Sequence, residues 1–156
     1  MTDANDVARI RALLAPLVGQ AAWGCRLGHG SFVTLEFGDP QPTTGDVVHG
    51  AWHVWVYGCA WRIERDREVV AGSDDERDVM EAAARALDGL TLEDVTVDAP
   101  GLDATWTFSG GYRLRLFPMS ASQGEHWLVY LPQGQVLSAG PGASWSMEPA
   151  DGRSQP

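Results

Sequence analysis

The chain has 156 residues, 44% of them hydrophobic and 21% charged, which suits one globular domain with a substantial core. Twenty-one acids face eleven bases, giving a net charge of -10; every base is Arg and no Lys occurs anywhere. That composition excludes Schiff-base chemistry and lysine-dependent phosphate loops. It also argues against nucleic acid and anionic membranes as partners, since both are held by cations placed on phosphates.

The first segment, Met1 to Asp6, is acidic and unlike a secretory leader, and no apolar run approaches the roughly 18 residues of a membrane span. A cytoplasmic location is therefore expected. An amphipathic helix is predicted over residues 3–18, where Val7, Ile10, Leu14, Leu17 and Val18 recur at helical spacing and Thr2 or Asp3 can cap the start. A hairpin follows, Ala22 to Leu27 and Ser31 to Phe37, turning at Gly28-His29-Gly30. The stretch Gly38 to Asp46 is rich in turn residues and reads as a loop. Gly50 to Tyr57 is apolar on both faces, as a central strand would be, and a second hairpin is centred on Asp66.

A second helix is predicted over residues 74–88, with Ser73-Asp74-Asp75-Glu76 as a capping box and Val79, Met80, Ala83 and Leu87 as its buried stripe. Strands are expected at Thr91–Asp98, Leu102–Ser109, Tyr112–Phe117, Glu125–Leu131 and Gln135–Ala139. The fold class is α+β, with about eight to ten strands in a largely antiparallel sheet, strongly curved or two-layered. One domain is expected over 1–148, followed by a polar flexible tail over 149–156.

The negative charge is local. Residues 64–103 hold thirteen acids and four Arg, net -9, whereas the flanking segments are nearly neutral. On the second helix Asp74, Asp78, Glu81 and Asp88 fall opposite the apolar stripe. A concentrated field of one sign can be a solvated face or can steer a basic protein partner. The same acids lack the compact spacing of a calcium loop, so no metal is assigned to them.

Other chemistry is sparse. His49 and His53, placed on one extended strand, should lie roughly 13 Å apart, too far to share an ion. No nucleophile elbow, zinc-protease motif, paired-cysteine motif or phosphate loop is present, so no catalytic residue, metal or cofactor is assigned. Cys25 and Cys59 read as buried reduced thiols. Of seven Trp, most belong in a core; Trp55 and Trp61 are the candidates for exposed interface anchors. Arg62, Arg113 and Arg115 are candidates for orienting an anionic ligand in an aromatic pocket between sheet and helix.

In the C-terminal half, Asp103 to Phe108, Gly110-Gly111, Leu114 to Pro118 and Glu125 to Val129 run in sequence: an alternating strand, a glycine turn, a strand ending in Phe-Pro and a Glu-x-Trp strand. This pattern resembles an uncharacterised family of small bacterial proteins of unknown function, and the resemblance implies structure rather than activity. In style the chain is also similar to the immunity proteins of toxin systems, by analogy of class only. The expectation from sequence is a non-enzymatic protein that binds a basic partner through the acidic helix, as a monomer or homodimer. The alternatives are a small-molecule-binding protein or enzyme with an Arg-lined aromatic pocket, and an oligomeric structural domain.

Overall fold

A computed structural model describes residues 3–42, 45 and 47–150. These residues form two α-helices and eleven strands in an α+β fold with two antiparallel sheets. In chain order the elements are α1 (Ala4–Leu14), β1 (Trp23–Leu27), β2 (Val33–Pro40), β3 (Gly50–Val56), β4 (Cys59–Arg65), β5 (Glu68–Gly72) and α2 (Arg77–Arg85). β6 (Leu92–Asp98), β7 (Asp103–Phe108), β8 (Tyr112–Pro118), β9 (Trp127–Tyr130), β10 (Gln135–Ala139) and β11 (Trp145–Pro149) follow. One sheet has the order β1-β2-β3-β9-β10-β11, the other β5-β4-β8-β7-β6.

One continuous apolar core joins the sheets. Val33, Leu35 and Phe37 of β2, Trp52, Val54 and Val56 of β3, and Trp127 and Val129 of β9 meet Trp61 and Ile63 of β4, Trp106 of β7 and Leu114 of β8. Alternation sends every second side chain of each strand into this layer. Two indoles then bind across it. Trp61 Nε1 donates to the Ser31 carbonyl at 2.6 Å, and Trp127 Nε1 donates to the Leu102 carbonyl at 3.0 Å. Each tie runs from a strand of one sheet to a turn of the other, which fixes how the layers sit. Trp61 is thus a core residue, 2% exposed, and not the surface anchor expected from sequence. Its hydrogen-bonding indole edge is satisfied inside.

The helices differ in detail from their sequence patterns. On α1 Ile10, Leu14 and Leu17 are buried as expected, but Val18 is exposed because the helix tightens at Pro16 into the 3-10 turn Ala15–Leu17. The capping box belongs to α1: Asp6 N donates to the Asp3 carboxylate at 3.0 Å and Asp3 N to the Asp6 carboxylate at 3.2 Å. No such box starts α2. The Ser73 hydroxyl accepts from Trp61 N at the sheet margin, so the chain closes a turn at 72–75 and enters the helix three residues later than the motif implies. Val79 accordingly faces outward, 42% exposed.

Both ends of α2 are fastened to the β1–β2 hairpin. Arg77 donates to the carbonyls of Gly28 and Gly30, and the Asp88 carboxylate accepts from Cys25 N at 2.7 Å. On the other side of the molecule Arg9 of α1 lies 5.0 Å over the Trp145 ring. Trp145 opens β11, a strand that the polar character of residues 145–149 concealed; it pairs along its full length with β10. The expected tail therefore begins later, and its residues 151–156 lie outside those described, as do Thr43, Thr44 and Asp46 of the expected loop. Cys25 and Cys59 are both free.

Asp88 thus has a structural role, whereas Asp74 is exposed. Asp88→Ala is expected to lower the unfolding free energy by about 1–2 kcal/mol through loss of a charge-assisted bond to a strand N–H. Asp74→Asn should stay within about 0.5 kcal/mol of the parent. Urea denaturation midpoints of the two variants check the contrast.

Candidate functional site

The six-stranded sheet buries both of its faces. Its inner face forms the core just described. On its second face two cross-strand rows lie side by side: Thr34–Trp55–Leu128–Ser138, and two residues further along, Glu36–His53–Tyr130–Val136. Thr34, Glu36, His53, Tyr130 and Ser138 are all buried there. A polar group removed from water is normally hydrogen-bonded. On this face five polar atoms, Thr34 Oγ1, His53 Nε2, Trp55 Nε1, Tyr130 Oη and Ser138 Oγ, have no partner among the described residues.

Glu36 organises one row. Its side chain is fully buried, and its Oε1 accepts from Gly50 N at 2.9 Å. Gly24 makes room for it: a Cβ there, at φ +57°, would meet Glu36 Cγ at 3.2 Å. Gly50 serves the backbone instead, because a Cβ on it would collide with the Phe37 carbonyl. The β2–β3 register shifts between Phe37 and Pro40, opposite Gly50, and such irregularities turn a strand and re-aim nearby side chains.

The consequence falls on the histidines. Glu36 Oε2 lies 2.7 Å from His53 Nδ1 and 3.4 Å from His49 Nδ1, and the His49 and His53 rings are 4.1 Å apart between centroids. The separation of roughly 13 Å expected for an extended strand is overturned. β3 begins only at Gly50, so His49 precedes the regular strand and its ring folds back over His53. One donor atom from each of Glu36, His49 and His53 falls within 4.8 Å of the others.

Burial drives the His53 pKa down, and the hydrogen bond and charge of Glu36 oppose that only in part. His53 Nδ1 is hydrogen-bonded to Glu36 Oε2, and Nε2 has no partner among the described residues. His53 borders a cavity of about 390 Å³ together with His49, Tyr130, Gln41 and Pro132. The His53 and Tyr130 rings are 5.6 Å apart. A second cavity on the same face, about 260 Å³, is lined by Arg26, His29, Phe32, Thr34 and Trp55.

The residues singled out from sequence are distributed differently. Arg62, Arg113 and Arg115 do converge, but on Glu64 and on adjacent strands β4 and β8 of the five-stranded sheet. Arg62 Nη2 lies 2.7 Å from one carboxylate oxygen; Arg113 Nε and Arg115 Nε lie 3.2 and 3.0 Å from the other. Arg113 borders a recess with Glu64, Asp66, Arg67, Glu68 and Val69, and Arg62 lies 5.4 Å over the Phe117 ring. Trp55 is half-buried on the second face of the other sheet, edge-on to Phe32 and Tyr57. Of the α2 acids, Asp74 and Asp78 face solvent, Glu81 pairs with Arg85, and Asp88 binds the β1 backbone. The strongest cluster, Glu36 with both histidines, lacked a sequence signal because the break at Gly50 is created by pairing with β2.

No protein-family model, curated protein or solved structure matches the chain. No helix among the described residues is long and apolar enough to cross a membrane.

Two outcomes test this description. Burial raises the Glu64 pKa, but hydrogen bonds and charges from Arg115 and Arg62 outweigh it and hold the carboxyl below its ordinary value. The stabilisation this confers is complete above the unfolded pKa, about 4.3, and is lost as pH falls through the lower native value. Glu64→Gln should therefore lose stability at neutral pH and show a shallower decline on acidification, as read by thermal melts between pH 7 and pH 2. Tyr130→Phe deletes an unpartnered buried hydroxyl. It should leave the unfolding free energy unchanged or raise it by up to about 1 kcal/mol, which chemical denaturation measures.

Proposed function

We propose that this chain is a metal-binding protein that holds a first-row divalent ion on Glu36, His49 and His53, with a further coordination position open to the adjoining cavity. The observation that carries the reading is the placement of two imidazole nitrogens 2.7 and 3.4 Å from one fully buried carboxylate oxygen. Ions of this type take imidazole and carboxylate donors at about 2.0–2.2 Å, which sets tetrahedral donor–donor separations at about 3.3 Å. The distances around Glu36 Oε2 bracket that value. Two His and one carboxylate suit zinc or ferrous iron and are a poor set for calcium or magnesium, which take oxygen donors.

Three protein donors are also the complement of a site that keeps water or a ligand in its coordination sphere. When bound, the ion would supply Lewis acidity to such a ligand. The chain's own contribution is orientation and shelter. Gly50 N–H holds the Glu36 carboxylate, Gly24 leaves room for its side chain, and Tyr130 walls the cavity. Recognition of a basic protein through α2 has less support, because Glu81 and Asp88 are engaged within the chain.

Titration of the chelator-treated protein with zinc should show one saturable equivalent per chain. Cobalt(II) should give the intense visible bands of a low-coordinate site, and magnesium should neither bind nor displace it. His49→Ala is the informative variant, because His49 is the most exposed of the three donors and its loss spares the core. It should weaken zinc at least tenfold while the far-ultraviolet circular dichroism stays unchanged. Zinc binding that is absent from the parent, or unaltered in His49→Ala, would overturn the reading.

A further inference from the structure

The second cavity on the same sheet face contains none of the three metal donors, and its chemistry is one-sided. Arg26 of β1 is half-buried at its wall, opposite Thr34 in the β1–β2 register, and makes no hydrogen bond or ion pair among the described residues. A guanidinium has five N–H donors and no acceptor, and it stays charged at any physiological pH. Thr34 and Trp55 line the same cavity through other atoms, since Thr34 Oγ1 and Trp55 Nε1 are themselves shut off from solvent. Arg26 is therefore the charged group at this cavity, and among the described residues lining it there is no carboxylate to receive its donors.

The remaining walls are flat and apolar. Phe32 and Trp55 stand edge to face with centroids 6.1 Å apart, and His29 stands edge-on to Phe32 at 6.3 Å. The cavity, about 260 Å³, exceeds the roughly 150 Å³ that accommodates benzene in an apolar protein interior. An unpaired planar fork matches an oxyanion, and the aromatic walls match a flat apolar body.

We infer that this cavity binds a small carboxylate carrying an aromatic or similarly flat apolar group, with Arg26 holding the carboxylate and Phe32 and Trp55 flanking the flat group. Phe32 supplies a wall from the β1–β2 turn. The site needs no metal ion and contains none of Glu36, His49 and His53, although the Arg26 charge also bears on His53.

The test uses the full chain in buffer containing EDTA, so that its outcome is separate from metal binding. Isothermal titration with benzoate should show one saturable site per chain. Benzamide, which has the same shape without the charge, should bind at least tenfold more weakly, and inorganic phosphate should not compete. Arg26→Met should lower benzoate affinity at least tenfold. Arg115→Met, on the other sheet, should leave it unchanged. Circular dichroism verifies that each variant is folded, and Arg26→Gln serves in place of Arg26→Met should the latter misfold. Equal affinity for benzoate and benzamide would overturn the proposal. So would phosphate binding in place of benzoate, undiminished binding in the Arg26 variants, or no saturation of the parent chain.

Discussion

A carboxylate withdrawn entirely from water organises half of this molecule. Burying an unpaired charge costs several kcal/mol, so the fold must bring partners to it. Glu36 receives the Gly50 N–H on one oxygen and the His53 ring on the other. That arrangement leaves space for no side chain at Gly24, and it accompanies an irregular step in the β2–β3 ladder and a chain that reaches regular extension only after His49. The two histidines come together as a geometric result of accommodating Glu36.

The two sheets treat their outer polar faces in opposite ways. On the five-stranded sheet three arginines share the Glu64 carboxylate, each within hydrogen-bonding distance of it. On the six-stranded sheet an arginine, two hydroxyls, an indole, a phenol and an imidazole nitrogen have no partner among the described residues, although most of them are shielded from solvent. A self-satisfied network rigidifies a surface; an unsatisfied one invites something else to complete it. Net charge is blind to this difference, because the acidic segment from Glu64 to Asp103 lies largely on other elements.

Elements with clean periodicity were legible from sequence. The alternation of Leu102 to Ser109, the hairpin at Asp66 and the central position of the Gly50–Tyr57 strand all have their counterparts in β7, β4–β5 and β3. What stayed hidden depends on long-range pairing. The Ser73 hydroxyl could cap a helix, but Trp61 N–H reaches it. Trp145–Pro149 carries no strong strand pattern and becomes a strand because β10 offers a free edge, where a terminal proline is tolerated. His49 and His53 are four apart in sequence, and only the step opposite Phe37 turns that spacing into contact.

The free cysteines gain a practical meaning from where they lie. Burial and a neighbouring acid raise both thiols, Cys59 to about 12 under the influence of Asp103 and Cys25 further still beside Asp88. Since the thiolate is the reactive form, native thiols of this kind react slowly with alkylating reagents. One thiol belongs to each sheet, the buried Cys25 in β1 and the half-buried Cys59 in β4. Modification of Cys25 therefore reports on the opening of the six-stranded sheet.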